Sequence, residues 1–125
     1  MTPPARHTDL ILPEQSVKTE SLSWNSHPKF AGVSLRHLVT GEDTGGRLSL
    51  HHVRIEPGCM IGDHAHAGQV EIHDVLAGAG HCVLDGKEIL YMPGLVGVMP
   101  ADTVHRVVAG DRGLLLLATF APPLV

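Results

Sequence analysis

Glycine and proline cut this chain into short apolar runs, and none of the runs is long enough, or periodic enough at 3.6 residues, to make a helix. Fourteen glycines and nine prolines fall within 125 residues. Between them lie segments rich in Val, Ile and Leu: 33–40, 47–56, 69–77, 81–85, 88–92, 95–99, 104–109 and 114–121. Runs of this length and composition, bounded by turn residues, read as strands. The fold class is therefore all-β, and eight such strands suffice for a sheet folded into a closed double layer. Asp85-Gly86 suits the positive backbone angles of a tight hairpin, and Pro57-Gly58 and Pro93-Gly94 suit turns with glycine third. Residues 1–32 are broken by Pro3, Pro4, Pro13 and Pro28 and read as an N-terminal arm or edge strands, leaving 33–125 as a single barrel domain.

Length and charge narrow the function classes. A chain of this size with 43% hydrophobic residues builds one core. A net charge of -4 without any lysine or arginine run argues against a nucleic-acid partner. The N-terminus lacks a secretion-type apolar stretch, and no apolar run approaches the roughly 20 residues that span a bilayer, so no membrane association and a cytoplasmic location are expected. Cys59 and Cys82 lack zinc-knuckle or redox-pair spacing and read as ordinary half-buried thiols.

The chemistry concentrates in residues 63–74, DHAHAGQVEIHD. Alternate residues of a strand share a face about 7 Å apart, so His64 and His66 point together. The Ala67-Gly68-Gln69 turn is expected to bring the next strand back beside the first, placing Glu71 next to them. His105 is the best-placed third imidazole from a distant strand. Three imidazoles and a carboxylate from three strands suit a divalent metal, and a buried Glu71 without a cation would be costly. His73 shares parity with Glu71 and Val75, so it is expected inside the barrel one step deeper. There it orients a ligand or moves a proton at a substrate pocket, or simply bonds a backbone carbonyl. His51 and His52 must face opposite sides, and their flanks do not say which enters the interior. His7, His27 and His37 read as ordinary hydrogen-bonded histidines, His81 and Asp63 as turn or solvent residues, and Asp102 as a cap on the turn before His105.

The same residues carry a resemblance. Gly58, His64, His66, Glu71 and Gly78 match the first motif of the cupin superfamily in spacing, and Gly94, Pro100 and His105 match the second. Asp102 stands where the family has glycine, and Ala109 where it has asparagine. The chain thus resembles a small single-domain microbial cupin over about residues 47–120. The resemblance implies a double-stranded β-helix, or jelly-roll barrel, usually a homodimer. It also implies one divalent transition metal per chain, iron, manganese, nickel or zinc, held by His64, His66, Glu71 and His105. It names a fold and a site rather than a reaction.

Such a donor set leaves a net charge of about +1 and, at six-coordination, about two open positions. The function expected is a metalloenzyme acting on a small polar organic substrate, as dioxygenase, isomerase or lyase. The alternative is a non-catalytic, metal-anchored module that binds or senses a small ligand. No residue beyond the ligands and His73 is singled out for catalysis.

Overall fold

The computed structural model describes residues 7–125. Ten strands carry the fold: β1 (Asp9–Ile11), β2 (Ser16–Lys18), β3 (Asn25–Ser26), β4 (Val33–Val39), β5 (Ser49–Ile55), β6 (Met60–His64), β7 (Val70–Leu84), β8 (Lys87–Tyr91), β9 (Val96–Met99) and β10 (His105–Ala121). Helix among the described residues is limited to two single 3-10 turns, Thr19–Ser21 and Gly41–Thr44. Among the described residues, no helix is long and apolar enough to cross a membrane.

Two long strands organise the barrel. The first part of β10 lies between β6 and the end of β7, with His105 opposite both His64 and Leu84. Its second part, from Leu114, lies between β5 and the start of β7. β7 likewise pairs with β9 over Glu71–Asp74 and with β8 over Gly80–Leu84. Each long strand therefore passes from one layer of the jelly roll to the other, and the pairing register shifts between Ala109 and Leu114, where it does so. Glycine permits the passage. A Cβ on Gly78, whose φ is +79°, would stand 2.1 Å from the carbonyl oxygen of Gly113, and one on Gly80 would stand 2.1 Å from that of Val108. Only a residue without a Cβ lets the two backbones approach so closely.

These passages correct the expected strand list. Segments 69–77 and 81–85 are one strand, and so are 104–109 and 114–121, because the glycines between them bend the chain without ending its pairing. β6 was absent from that list. It pairs antiparallel with β10, and the Ala67-Gly68-Gln69 turn does not lay β7 beside it. The three expected turns are present: Asp85 and Gly86 have φ of +49° and +78°, Gly58 +72° and Gly94 +96°. At the N-terminus β1 and β2 form a separate hairpin, while β3 extends the main sheet as an edge strand on β4.

Strand alternation then fills the interior. Val33, Val53, Ile55, Val75, Cys82, Tyr91, Met99, Val107, Leu114, Leu116 and Phe120 form the core, and both cysteines are free thiols. Ser49, His51, Val53 and Ile55 face inward together, which settles that His51 is the interior member of its pair. His52 faces outward and stacks beneath Trp24, itself flanked by the Arg36 and Arg54 guanidinium groups at 4.6 and 4.1 Å.

Candidate metal centre

Three chain segments deliver the polar cluster. His64 is the last residue of β6, His66 lies two beyond it in the turn, Glu71 is the second residue of β7 and His105 opens β10. One donor atom from each lies within 4.8 Å of every other. The expectation that these four converge is thus met in space, with the difference that His66 sits past the strand end.

Local hydrogen bonds orient the rings. His64 Nδ1–H donates to the Gly62 carbonyl at 2.7 Å, and His105 Nδ1–H donates to the Thr103 carbonyl at 3.1 Å. Each neutral ring then carries its lone pair on Nε2. Glu71 Oε1 is 3.2 Å from Nε2 of both His66 and His105. The His105 lone pair thus faces a carboxylate oxygen, and the arrangement needs positive charge at its centre. A divalent ion supplies it and fits the donor chemistry; without one, protons must. Burial works against charging His105, but its bond to Glu71 and the Thr103 carbonyl raise its pKa. Burial also works to raise the Glu71 carboxyl, yet His73, His105 and His66 together hold it well below the ordinary range. His64 is lowered, chiefly by burial.

Behind Glu71 runs a second line of contacts. His73 Nε2–H donates to Glu71 Oε2 at 2.8 Å, and Tyr91 O–H donates to His73 Nδ1 at 2.7 Å. Oε2 is therefore occupied and Oε1 is left for the centre. Room for this pair comes from small residues. Ala118 stands opposite both His73 and His51, and a Cβ on Gly97 would come 2.7 Å from the Tyr91 hydroxyl. His73, expected at a substrate pocket, is 2% exposed and sits one layer behind the carboxylate, away from the cavity wall.

A cavity of about 80 Å³ opens over the cluster. His64, His66 and Glu71 line it, together with Leu35, Val53, Ile61, Phe120, Leu124 and His27. His27 keeps its local role, its Nδ1 accepting the Lys29 and Phe30 backbone N–H groups at 3.0 and 3.2 Å, while its ring reaches the wall. Leu124 arrives from the chain end: its N–H donates to Ser49 Oγ at 2.8 Å, and Gln69 Nε2 donates to the Pro122 carbonyl at 2.9 Å. Neither residue carries a motif. Parity along β4 and β5 would have placed Leu35 and Val53 inside, but nothing local points to Leu124.

The other polar residues resolve as follows. His51 contacts Ser49 Oγ and His37 Nδ1 at 2.7 and 2.8 Å and belongs to the wall structure. His7 Nδ1 meets His52 Nε2 at 3.1 Å on the outer face. His81 and Asp63, expected in turns or solvent, lie in β7 and β6; Asp63 is solvent-exposed, as expected, and pairs with Arg106 at 3.4 Å, while His81 is half-buried. Asp102 does not cap its own turn. Its carboxylate accepts the Gly68 N–H at 3.1 Å and its N–H donates to the His66 carbonyl at 3.0 Å, tying together the turns that carry His66 and His105. Its φ of +63° is the conformation that favours glycine and that aspartate tolerates better than most residues. Ala109 is buried opposite Gly80 and touches no ligand position.

Comparison with known proteins agrees with this architecture. The sequence profile of the cupin domain matches residues 51–120. No curated protein matches the sequence. Among solved structures, KdgF from Halomonas sp. is similar at 24% identity and a TM-score of 0.72, over 82% of this chain and 88% of that one. A protein described as a predicted oxalate decarboxylase from Thermotoga maritima is similar at 23% and 0.77, over 85% and 97%. Ectoine synthase from P. lautus is similar at 20% and 0.75, over 87% and 78%. At these identities the likeness establishes the fold.

Proposed function

Because this chain belongs to the cupin domain family, we propose that it is a mononuclear metal-dependent enzyme acting on a small organic substrate that binds at the ion. One observation carries the proposal: four donors from three segments converge within 4.8 Å at the floor of a cavity that three of them line. A purely structural ion would be closed off by protein atoms, whereas a catalytic one keeps open positions. One divalent ion, iron, manganese, nickel or zinc, supplies Lewis acidity when bound, or dioxygen chemistry if it is redox-active.

The chain's own residues have distinct tasks in this reading. His64, His66 and His105 present Nε2 and Glu71 presents Oε1. The Gly62 and Thr103 carbonyls fix two of the rings, and His73 with Tyr91 holds the carboxylate so that one oxygen stays inward. Leu35, Val53, Ile61, Phe120 and Leu124 keep bulk water from the floor. A neighbour named as an ectoine synthase and one described as a predicted oxalate decarboxylase share the fold, which is compatible with turnover and does not choose among dioxygenase, isomerase and lyase chemistry. The proposal includes a homodimer, to be read from the solution mass by sedimentation equilibrium.

The test is turnover by metal-loaded protein offered a panel of small keto and hydroxy compounds, following oxygen uptake and product formation. Consumption that disappears in His64→Ala supports an enzyme. Binding at the ion without consumption of any compound would replace this reading with the metal-anchored binding or sensing module.

A further inference from the structure

We infer that the compound bound at this centre carries its polar atoms at one end, as a chelating head, and presents a short, uncharged aliphatic body to the cavity wall. The inference rests on the metal reading above and specifies its ligand. It also departs from the small polar substrate that the donor set alone suggests.

The polar groups at the cavity floor are all committed. His64, His66 and Glu71 belong to the ion's donor set, whose net charge of about +1 attracts an anionic or enolised head. The rest of the wall is Leu35, Val53, Ile61, Phe120 and Leu124, with His27 as the one polar side chain that is not a donor of the cluster. Among the described residues, no lysine or arginine lines it. Strand alternation explains why: Arg36 and Arg54 are the sequence neighbours of Leu35 and Val53, so they point to the opposite face, where both stand over Trp24. His27 offers no positive charge at neutral pH, since burial and then Lys29 lower its pKa. A carboxylate or phosphate on the far end of a ligand would meet aliphatic carbon and stay unpaired, the situation that apolar pockets reject most strongly.

Size sets the second half of the inference. A cavity of about 80 Å³ is a small fraction of the several hundred Å³ usual for drug-sized ligands. A space this small favours a ligand body of a few carbons. Phe120 and Leu124 line it, and Ser49 and Gln69 hold the C-terminal segment that places Leu124 there.

Hydroxamates test this directly, because the chelating head stays constant while the tail changes. Protein loaded with cobalt(II) is titrated with acetohydroxamate, butyrohydroxamate and succinic monohydroxamate, following the cobalt absorption bands and the heat of binding. Each added methylene should tighten binding about fourfold, so butyrohydroxamate, with two more, should bind about fifteenfold tighter than acetohydroxamate. The succinyl compound, of equal length but ending in a carboxylate, should bind at least tenfold more weakly than butyrohydroxamate. Leu35→Arg should narrow or reverse that last preference, and the wild-type series decides the question even if this variant fails to fold. Equal or tighter binding of the succinyl compound, or no hydroxamate binding by protein that holds its cobalt, overturns the inference. Failure of the wild type to take up cobalt would instead remove the metal reading on which the inference stands.

Discussion

Acidification should destabilise this barrel through a histidine far from the proposed centre. His52 is 3% exposed on the outer face of β5, covered by Trp24, with an Arg36 guanidinium nitrogen and His7 Nδ1 each 3.1 Å from its ring nitrogens. Burial, followed by the charges of Arg36 and His7, lowers its pKa from 6.5 to about 4. Above pH 6.5 the ring is neutral in both folded and unfolded chains. Between 6.5 and about 4 the unfolded chain takes up a proton that the folded one refuses, so stability falls with pH, and below that range the loss is complete. A gap of this size is worth about 3 kcal/mol in full, of which about 2 kcal/mol is lost by pH 5. His51 acts in the same direction, lowered to about 4 by burial and then His37 against the opposing influence of Glu71. Comparing wild type with His52→Gln isolates the one residue, and chelator in both samples removes any contribution from metal release. Urea unfolding at pH 7.5 and pH 5 should show wild type losing about 2 kcal/mol more than the variant, a difference in midpoint shift on the order of 1 M. Parallel losses in the two proteins would refute the argument from burial.

Tyr91→Phe removes the hydroxyl that orients His73, leaving a buried ring nitrogen without its partner. Metal affinity, measured by chelator competition, should fall about tenfold to a hundredfold, and stability should fall by about 1–3 kcal/mol. Gly78→Ala places a Cβ 2.1 Å from the Gly113 carbonyl at a φ of +79°, so circular dichroism and thermal melting should report a protein that is unfolded or severely destabilised. Metal uptake should weaken on acidification, with the proton competing first at His105, whose pKa is raised by its bonds to Glu71 and the Thr103 carbonyl against the effect of burial, and each ion bound should release protons into a weakly buffered solution.

Much of this structure was legible from residue types whose physical consequence is local. Asp85-Gly86 and Pro57-Gly58 turn as their backbone preferences dictate, and the spacing of His64, His66, Glu71 and His105 identifies a cluster that the fold does assemble. The misreadings share a cause. Glycine marks a place where the backbone needs freedom, but that freedom serves a turn at Gly86 and a close crossing of two continuous strands at Gly78, and glycine alone does not say which. Pairing of β6 with β10 joins segments more than forty residues apart, and no local pattern in the half-exposed Met60–His64 announces it. The parity of His51 and His52 was readable, but the inward face emerged only once β5 had its partners. His27 and Leu124 reach the cavity from opposite ends of the described chain, so their contribution exists only in three dimensions.

One measurement bears on all of this at once: the metal content of protein purified without chelator, for wild type, His64→Ala and Glu71→Ala, each shown to be folded by circular dichroism. A single divalent ion per chain in the wild type that both substitutions remove is the predicted result. A wild type that takes up no ion, or folded variants that keep a full complement, would contradict the assignment of His64, His66, Glu71 and His105 as its ligands.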